Sequence, residues 1–200
     1  GEFRLLRQRL LAGRDPNTPV IIIPTGTCGL ASGAGGLVRS AKREILTRGL
    51  ADTVRLRITG CHGFCQMEPS VLVEPRRTFY PKVAVEDMPR IIEATAKGEV
   101  LTDLLTVDPH TGTPVEKQDD VPFFSRQVRR VLGLNERVDP IRIYNYVEIG
   151  GYEALATVLE KENPEEVLRE VRDSGLRGRG GGGFPTGIKW RMLAEQPGGR

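Results

Sequence analysis

The stretch SGLRGRGGGGFPTGIKW, residues 174–190, holds seven glycines. Backbone with so few side chains can go where a Cβ would block it, so this string constrains the fold more than any other. Glycines 178, 180, 181, 182 and 183, with Arg177 and Arg179 among them, precede a predicted helix start at Thr186. N–H groups in such a loop can converge on an anion, and a helix N-terminus adds partial positive charge. Lys189 falls about one turn into that helix, within reach of a phosphate. The same composition also suits a flexible tail or an Arg-Gly segment that binds RNA. A capped helix before the string and an aromatic at each end of FPTGIKW favour an ordered loop. The RNA reading lacks repeated motifs and an aromatic-rich sheet.

Upstream, the order of elements is legible. VIIIP (20–24) is apolar throughout, the pattern of a buried strand. Residues 37–50 carry apolar positions at Leu37, Val38, Ala41, Ile45 and Leu46, a helical face. VRLRITG (54–60) alternates Val54, Leu56 and Ile58 inward against Arg55 and Arg57 outward. SVLVEP (70–75) and FYPKV (79–83) read as two strands around a basic turn, PRRTF, whose Arg76 and Arg77 are expected in solvent. A helix with Glu86 and Asp87 in its first turn ends at Gly98. The order β-α-β then β-β-α suggests a small sheet with helices packed on it, similar to the thioredoxin-like fold. Residues 103–122, with three prolines, read as a linker. Beyond it, Asp139-Pro140 predicts a helix start with Gly150-Gly151 at its end. Residues 152–161 form a second predicted helix. Asn163 caps a third, with Glu166 placed to reach back and Gly175 as its stop.

Three cysteines, Cys28, Cys61 and Cys65, argue against a disulfide framework. In a reducing compartment such cysteines are structural, redox-active or metal-binding. A zinc site and a free-thiol scaffold are both open on this count. Thioredoxin activity itself is not expected, because no Cys-x-x-Cys begins a helix. Net charge is +3, with 29 basic residues against 26 acidic ones, which gives no reason to expect a nucleic-acid partner. No apolar run approaches the length of a membrane span, and the chain is read as cytoplasmic.

The glycine string resembles the flavin-binding loop of the NADH-oxidising subunit of respiratory complex I, a subunit type shared by NAD-linked hydrogenases and formate dehydrogenases. That family usually reads Gly-Arg-Gly-Gly-Ala-Gly-Phe-Pro-Thr-Gly here, with Gly182 standing for the alanine. The lead-in PFFSRQVRRVLGLNERVDPIRIYNYVEIGGYEALATVL is similar to the family's helices, so the likeness covers about 120–200. It implies that Gly178, Gly180 and Gly181 approach an FMN phosphate and that Lys189 pairs with it. Phe184 would lie beside the nicotinamide and flavin, Gly182 and Gly183 would leave room for NADH, and Arg179 is a further cofactor-binding candidate with a solvated loop charge as its alternative. Trp190 is expected in a core.

The earlier stretch ITGCHGFCQMEPSVLVEP resembles the second half of a thioredoxin-like [2Fe-2S] ferredoxin domain fused ahead of such subunits. The resemblance implies that Cys61 and Cys65 are one ligand pair. Of the other pair only Cys28 is present, with Pro24 about where its first cysteine would stand. Four thiolates are the usual requirement. A [2Fe-2S] cluster here therefore needs a fourth ligand, with His62, Thr25, Thr27 and Ser32 as candidates in this chain and a donor from another chain or incomplete protein ligation as the alternatives.

The expected fold class is α/β: an N-terminal helix (1–17), a thioredoxin-like ferredoxin-type domain (18–102), the linker (103–122), then a helical lead-in and the beginning of an α/β FMN-binding domain (123–200). The resemblance implies an NADH dehydrogenase-type flavoprotein with FMN and NAD(H). Its partners would be the redox subunits of a hydrogenase, formate dehydrogenase or quinone reductase complex, peripheral to the inner face of a membrane. The family's flavin domain continues further, so the chain is expected to be a piece of a longer polypeptide, inactive as a dehydrogenase by itself. The competing reading is a non-catalytic thioredoxin-like electron-transfer or docking module, whose basic turn at 75–79 would face an acidic partner.

Overall fold

A computed structural model describes residues 1–109 and 111–198. The chain divides into two units, Leu6–Gly150, and Gly1–Leu5 with Gly151–Arg200. The first helix, α1 (Glu2–Ala12), matches the helical spacing of the opening residues.

In the unit Leu6–Gly150, β1 (Val20–Pro24) is followed by α2 (Thr27–Ala31), α3 (Ala34–Thr47) and β2 (Arg55–Thr59), then β3 (Val71–Glu74), β4 (Thr78–Tyr80) and α4 (Met88–Lys97). The strands form one sheet in the order β2-β1-β3-β4. β1 and β2 run parallel, from Val20 opposite Arg55 to Pro24 opposite Thr59; β3 is antiparallel to β1, and β4 antiparallel to β3. This mixed α/β arrangement is the thioredoxin-like order expected from the sequence. β1 is apolar at every position because it lies inside the sheet and is covered on both faces. Ile21 and Ile23 join Leu37, Ala41, Val71, Met88, Ile91 and Ile92 in the core shared with α3 and α4. Ile22, opposite by alternation, is also fully buried. Each such isoleucine contributes roughly 1.5–3 kcal/mol by leaving water. α4 ends where Gly98 takes a left-handed conformation, as its sequence predicts.

Two expectations in this unit are corrected. Arg57 does not stand in solvent: its guanidinium is largely covered, 3.2 Å from Glu74 and from the carbonyl of Glu136. Arg77 is likewise drawn in, by Asp119 at 2.5 Å and Glu136 at 3.0 Å, whereas Arg76 stays exposed as expected and pairs with Glu116 at 3.1 Å on the surface.

The stretch 103–122 contains the hairpin β5 (Thr106–Val107) and β6 (Pro114–Val115). Its later residues then run beside β4, where Phe79 N–H donates to Glu116 O at 2.8 Å and Gln118 N–H to Arg77 O at 2.9 Å. α5 (Pro122–Ser125) packs Phe124 with Phe79 and Val121 in a second apolar cluster. The helix predicted to start at Asp139-Pro140 begins later, as α6 (Ile143–Glu148). The Asp139 carboxylate accepts instead from Ile141 N–H at 3.1 Å and Arg142 Nε at 3.2 Å, which closes a turn ahead of the helix.

The other unit holds α7 (Glu153–Lys161), α8 (Pro164–Asp173) and α9 (Thr186–Ala194). The Asn163 side chain caps α8 by accepting from Glu166 N–H at 3.2 Å. The Glu166 carboxylate does not reach back to Asn163; it pairs with Lys161 at 3.0 Å.

Candidate functional site

The glycine loop joins α8 to α9. Its base is a short bridge between Arg177 and Pro185, with Gly178 N–H donating to Phe184 O and Thr186 N–H to Leu176 O, both at 2.9 Å. Arg177 Nη1 adds a bond to Gly183 O at 3.2 Å. Above this base the backbone turns through left-handed positions at Gly181 (φ 114°) and Gly183 (φ 58°). A Cβ placed at Gly180, Gly181, Gly182 or Gly183 would meet nothing within 4 Å. Among the described residues no acceptor meets the N–H groups of 179–183. The N–H of Gly178 is already committed to Phe184, so the free donors lie at the tip of the loop and not at its root.

Behind the loop, α9 crosses α8 at very close range. A Cβ at Gly187 would stand 2.4 Å from the Cα of Arg172, and Arg191 holds Glu165 at 2.9 Å. Lys189 is exposed on the same helix, and Phe184 is half exposed at 51%. Trp190, expected in a core, is 45% exposed. The open N–H groups, the following helix N-terminus and Lys189 fit a phosphate group. Two cavities, one beside β2 and one between α7 and α8, include no residue of this loop.

The cysteines lie in the unit Leu6–Gly150. Cys28 is exposed on α2, Cys61 is half-buried in the loop after β2, and Cys65 is exposed at the start of a 3₁₀ turn. Gly26 rests against the second loop, where an added Cβ would be 2.8 Å from the Cβ of Cys61. Gly63 N–H donates to Cys61 Sγ at 3.1 Å. The nearby Cys28 thiol raises the pKa of Cys65, while Cys61 acts the other way. The three thiols are therefore neighbours, yet they do not close on a common centre. Among the described residues no three His, Cys, Asp or Glu side chains are placed to hold a metal ion. Pro24, where a fourth thiolate would be sought, is buried at the end of β1. The residues present do not fit a cluster held by four thiolates.

Two of the other donor candidates are engaged and two are exposed. His62 is buried and its Nε2 lies 2.9 Å from Thr59 Oγ1. Desolvation, with Arg129 and Arg77 nearby, lowers its pKa to about 4. The Thr25 hydroxyl donates to Thr59 O at 3.1 Å, and Thr27 and Ser32 are exposed.

A set of residues not anticipated from sequence grips the thiol loop. Arg129 Nη2 donates to His62 O at 2.5 Å and Asn135 Nδ2 to Cys61 O at 2.8 Å. Phe123 stacks on Phe64 with ring centroids 3.9 Å apart, and Phe124 meets the same ring edge-on at 5.6 Å. The Arg129 guanidinium lies 5.0 Å from the Phe124 ring centre and pairs with Glu136 at 3.6 Å. The paired phenylalanines of PFFS were the one sequence signal for this contact.

Comparison with known proteins finds subunits of NADH-quinone oxidoreductases and of an NADP-reducing hydrogenase. A 53-residue stretch is 58% identical to the NADP-reducing hydrogenase subunit HndC of Solidesulfovibrio fructosivorans, covering 26% of this chain and 11% of that protein. A 58-residue stretch is 50% identical to an NADH-quinone oxidoreductase subunit of Aquifex aeolicus, covering 29% of this chain and 13% of that protein. The matches thus span a small part of these relatives' length. Among solved structures, the thioredoxin-like [2Fe-2S] ferredoxin from Aquifex aeolicus aligns with 45% of this chain and 97% of its own, at 24% identity and a TM-score of 0.42. No family model matches the chain. Among the described residues no helix is long and apolar enough to cross a membrane.

Proposed function

We propose that this chain works as part of an NADH:acceptor oxidoreductase subunit, in which hydride passes from NADH to FMN and electrons leave for iron-sulfur centres of a multisubunit complex. The observation that carries this reading is the glycine loop: fixed at its base, open at its tip, and leading into α9. The N–H groups around Gly180 and Gly181 would hold the FMN phosphate, with Lys189 supplying charge and Arg179 a second cation. Gly178 anchors the loop through Phe184. Gly182 and Gly183 leave space for NADH, and Phe184 would flank the ring. When bound, FMN supplies hydride acceptance and one-electron release; the protein supplies anchoring and orientation. No general base is required of these residues.

No electron step is routed through the three thiols, since they do not make a four-thiolate site. The partners would be redox subunits of hydrogenase, formate dehydrogenase or quinone reductase type, in the cytoplasm and peripheral to a membrane. The 200 residues alone are expected to be inactive. The docking-module reading loses support because Arg76 and Arg77 are held by carboxylates of the same unit.

An absorption spectrum of the anaerobically purified native protein, before and after NADH, tests the proposal. A flavin band that bleaches, and that is lost in Lys189→Ala, is the expected result. A native protein with no flavin band refutes it.

A further inference from the structure

The two edges of the sheet are treated differently. The β4 edge is closed by the chain itself, through the bonds of Phe79 and Arg77 to residues 116–118. Among the described residues no segment pairs with the β2 edge in this way. Its pairing with β1 runs unbroken over five positions, without a bulge, and RLRIT contains no proline. Among the described residues no backbone hydrogen bond reaches residues 56–58 from the side away from β1. An open edge of this kind is a template for another strand.

Beside that edge runs a groove of about 860 Å³, within the size range of ligand sites. Leu11, Ile45, Leu46, Leu56, Ile58 and Ile141 give it an apolar lining, and Leu46 and Ile141 remain 72% and 86% exposed. Its cations are of two kinds. Arg14, Arg57 and Arg142 are paired with Glu148, Glu74 and Asp139. Among the described residues, Lys42 and Arg55 have no carboxylate partner and Asp15 has no cation; all three line the groove, which keeps an excess of positive charge.

We propose that this groove docks an extended acidic segment of a partner protein, which adds as a strand to the free edge of β2. Main-chain bonds supply affinity and alternate side chains supply selectivity in such an addition. Residues opposite one another on neighbouring strands share a face. The docked segment therefore places an acidic residue against Arg55 and apolar residues against Leu56 and Ile58, giving an alternating acidic and apolar pattern. A second copy of the chain is a poor occupant. Antiparallel self-pairing about Leu56 sets Arg55 against Arg57, and pairing about Arg57 sets that arginine against itself, both repulsive. The proposal does not depend on flavin binding.

The test uses a fluorescein-labelled nonapeptide of alternating glutamate and valine, and its lysine-for-glutamate counterpart, followed by anisotropy with the intact chain. Saturable binding of the acidic peptide alone is expected, weakened about tenfold by Arg55→Glu and by added salt. Amide exchange of residues 55–58 should slow on binding. Arg55→Glu is a surface change, and an unaltered circular dichroism melt confirms that its fold is intact. Equal binding of the lysine peptide, protection confined to other segments, or no binding overturns the proposal. So does displacement of an anionic fluorescent lipid probe by octanoate with the peptide silent, which would assign the groove to small amphiphiles.

Discussion

Replacing Gly187 by alanine tests whether the close crossing of α8 and α9 sets the glycine loop. The new methyl would lie 2.4, 2.7 and 2.8 Å from the Cα, N and Cβ of Arg172. Carbon atoms rest at about 3.5–4.0 Å, so the helices must part by about 1 Å or more. Backbone lines the clash, and no flexible side-chain end can swing aside. Overpacking of this kind costs about 1–3 kcal/mol. Alanine regains at most about 1 kcal/mol of helix propensity over glycine, and less in a first turn. A net loss of about 1–2 kcal/mol is expected. The chain's single tryptophan, Trp190, lies on the same helix, so urea unfolding followed by its fluorescence reads this unit directly. With a typical slope, the midpoint falls by about 0.5–1 M. Gly182→Ala is the control. Its methyl meets nothing within 4 Å and its φ is not left-handed, so its stability should stay within about 0.5 kcal/mol of the parent. If Gly187→Ala unfolds at the parent midpoint, or the two variants behave alike, the crossing does not hold the loop.

Asn163→Ala removes the side-chain cap of α8 and should cost about 1 kcal/mol in the same urea titration. Asn135→Ala frees Cys61 O from its partner and should raise the iodoacetamide alkylation rate of Cys61 about fivefold relative to Cys28, measured by mass spectrometry. His62 is buried and neutral with a pKa of about 4, against 6.5 when unfolded, so the unfolded chain takes up the proton first as pH falls. Stability should therefore rise with pH between about 4 and 6.5 and level off above, by on the order of 3 kcal/mol for this group. Thermal melts of His62→Gln should lack that slope.

What the sequence disclosed followed from local patterns. The apolar run of β1, the helical face of α3 and the stop at Gly98 each depend on neighbours a few positions away, and each was readable. The glycine loop was readable for the same reason, since its cap, turns and following helix lie within about thirty residues. Charges were misread where a distant partner decides their fate. Arg57 alternates outward in its strand, yet Glu74 and the carbonyl of Glu136 fold over it. Asp139 looked like a cap, but its carboxylate is captured by the turn it starts. The grip on the thiol loop was invisible because Cys61 and Asn135 stand 74 positions apart, and no periodicity records such a pair.

That grip bears on what a thiol site in this chain consists of. Residues 60–64 form no helix or strand, so little in their own sequence fixes them. From one side Gly26 touches Cys61; from the other, Arg129 and Asn135 take the carbonyls of His62 and Cys61, and Phe123 covers Phe64. The main apolar core, from Ile21 to Ile92, uses none of these later residues. Sheet stability and thiol-loop geometry are thus separable: the former rests on β1, α3 and α4, the latter on residues 123–135. A polypeptide ending just after Leu105 would keep the core contacts and lose both the clamp and the cover of the β4 edge. The unit that positions the cysteines is accordingly larger than the thioredoxin-like sheet and includes the lead-in that the sequence assigns to the flavin-binding part.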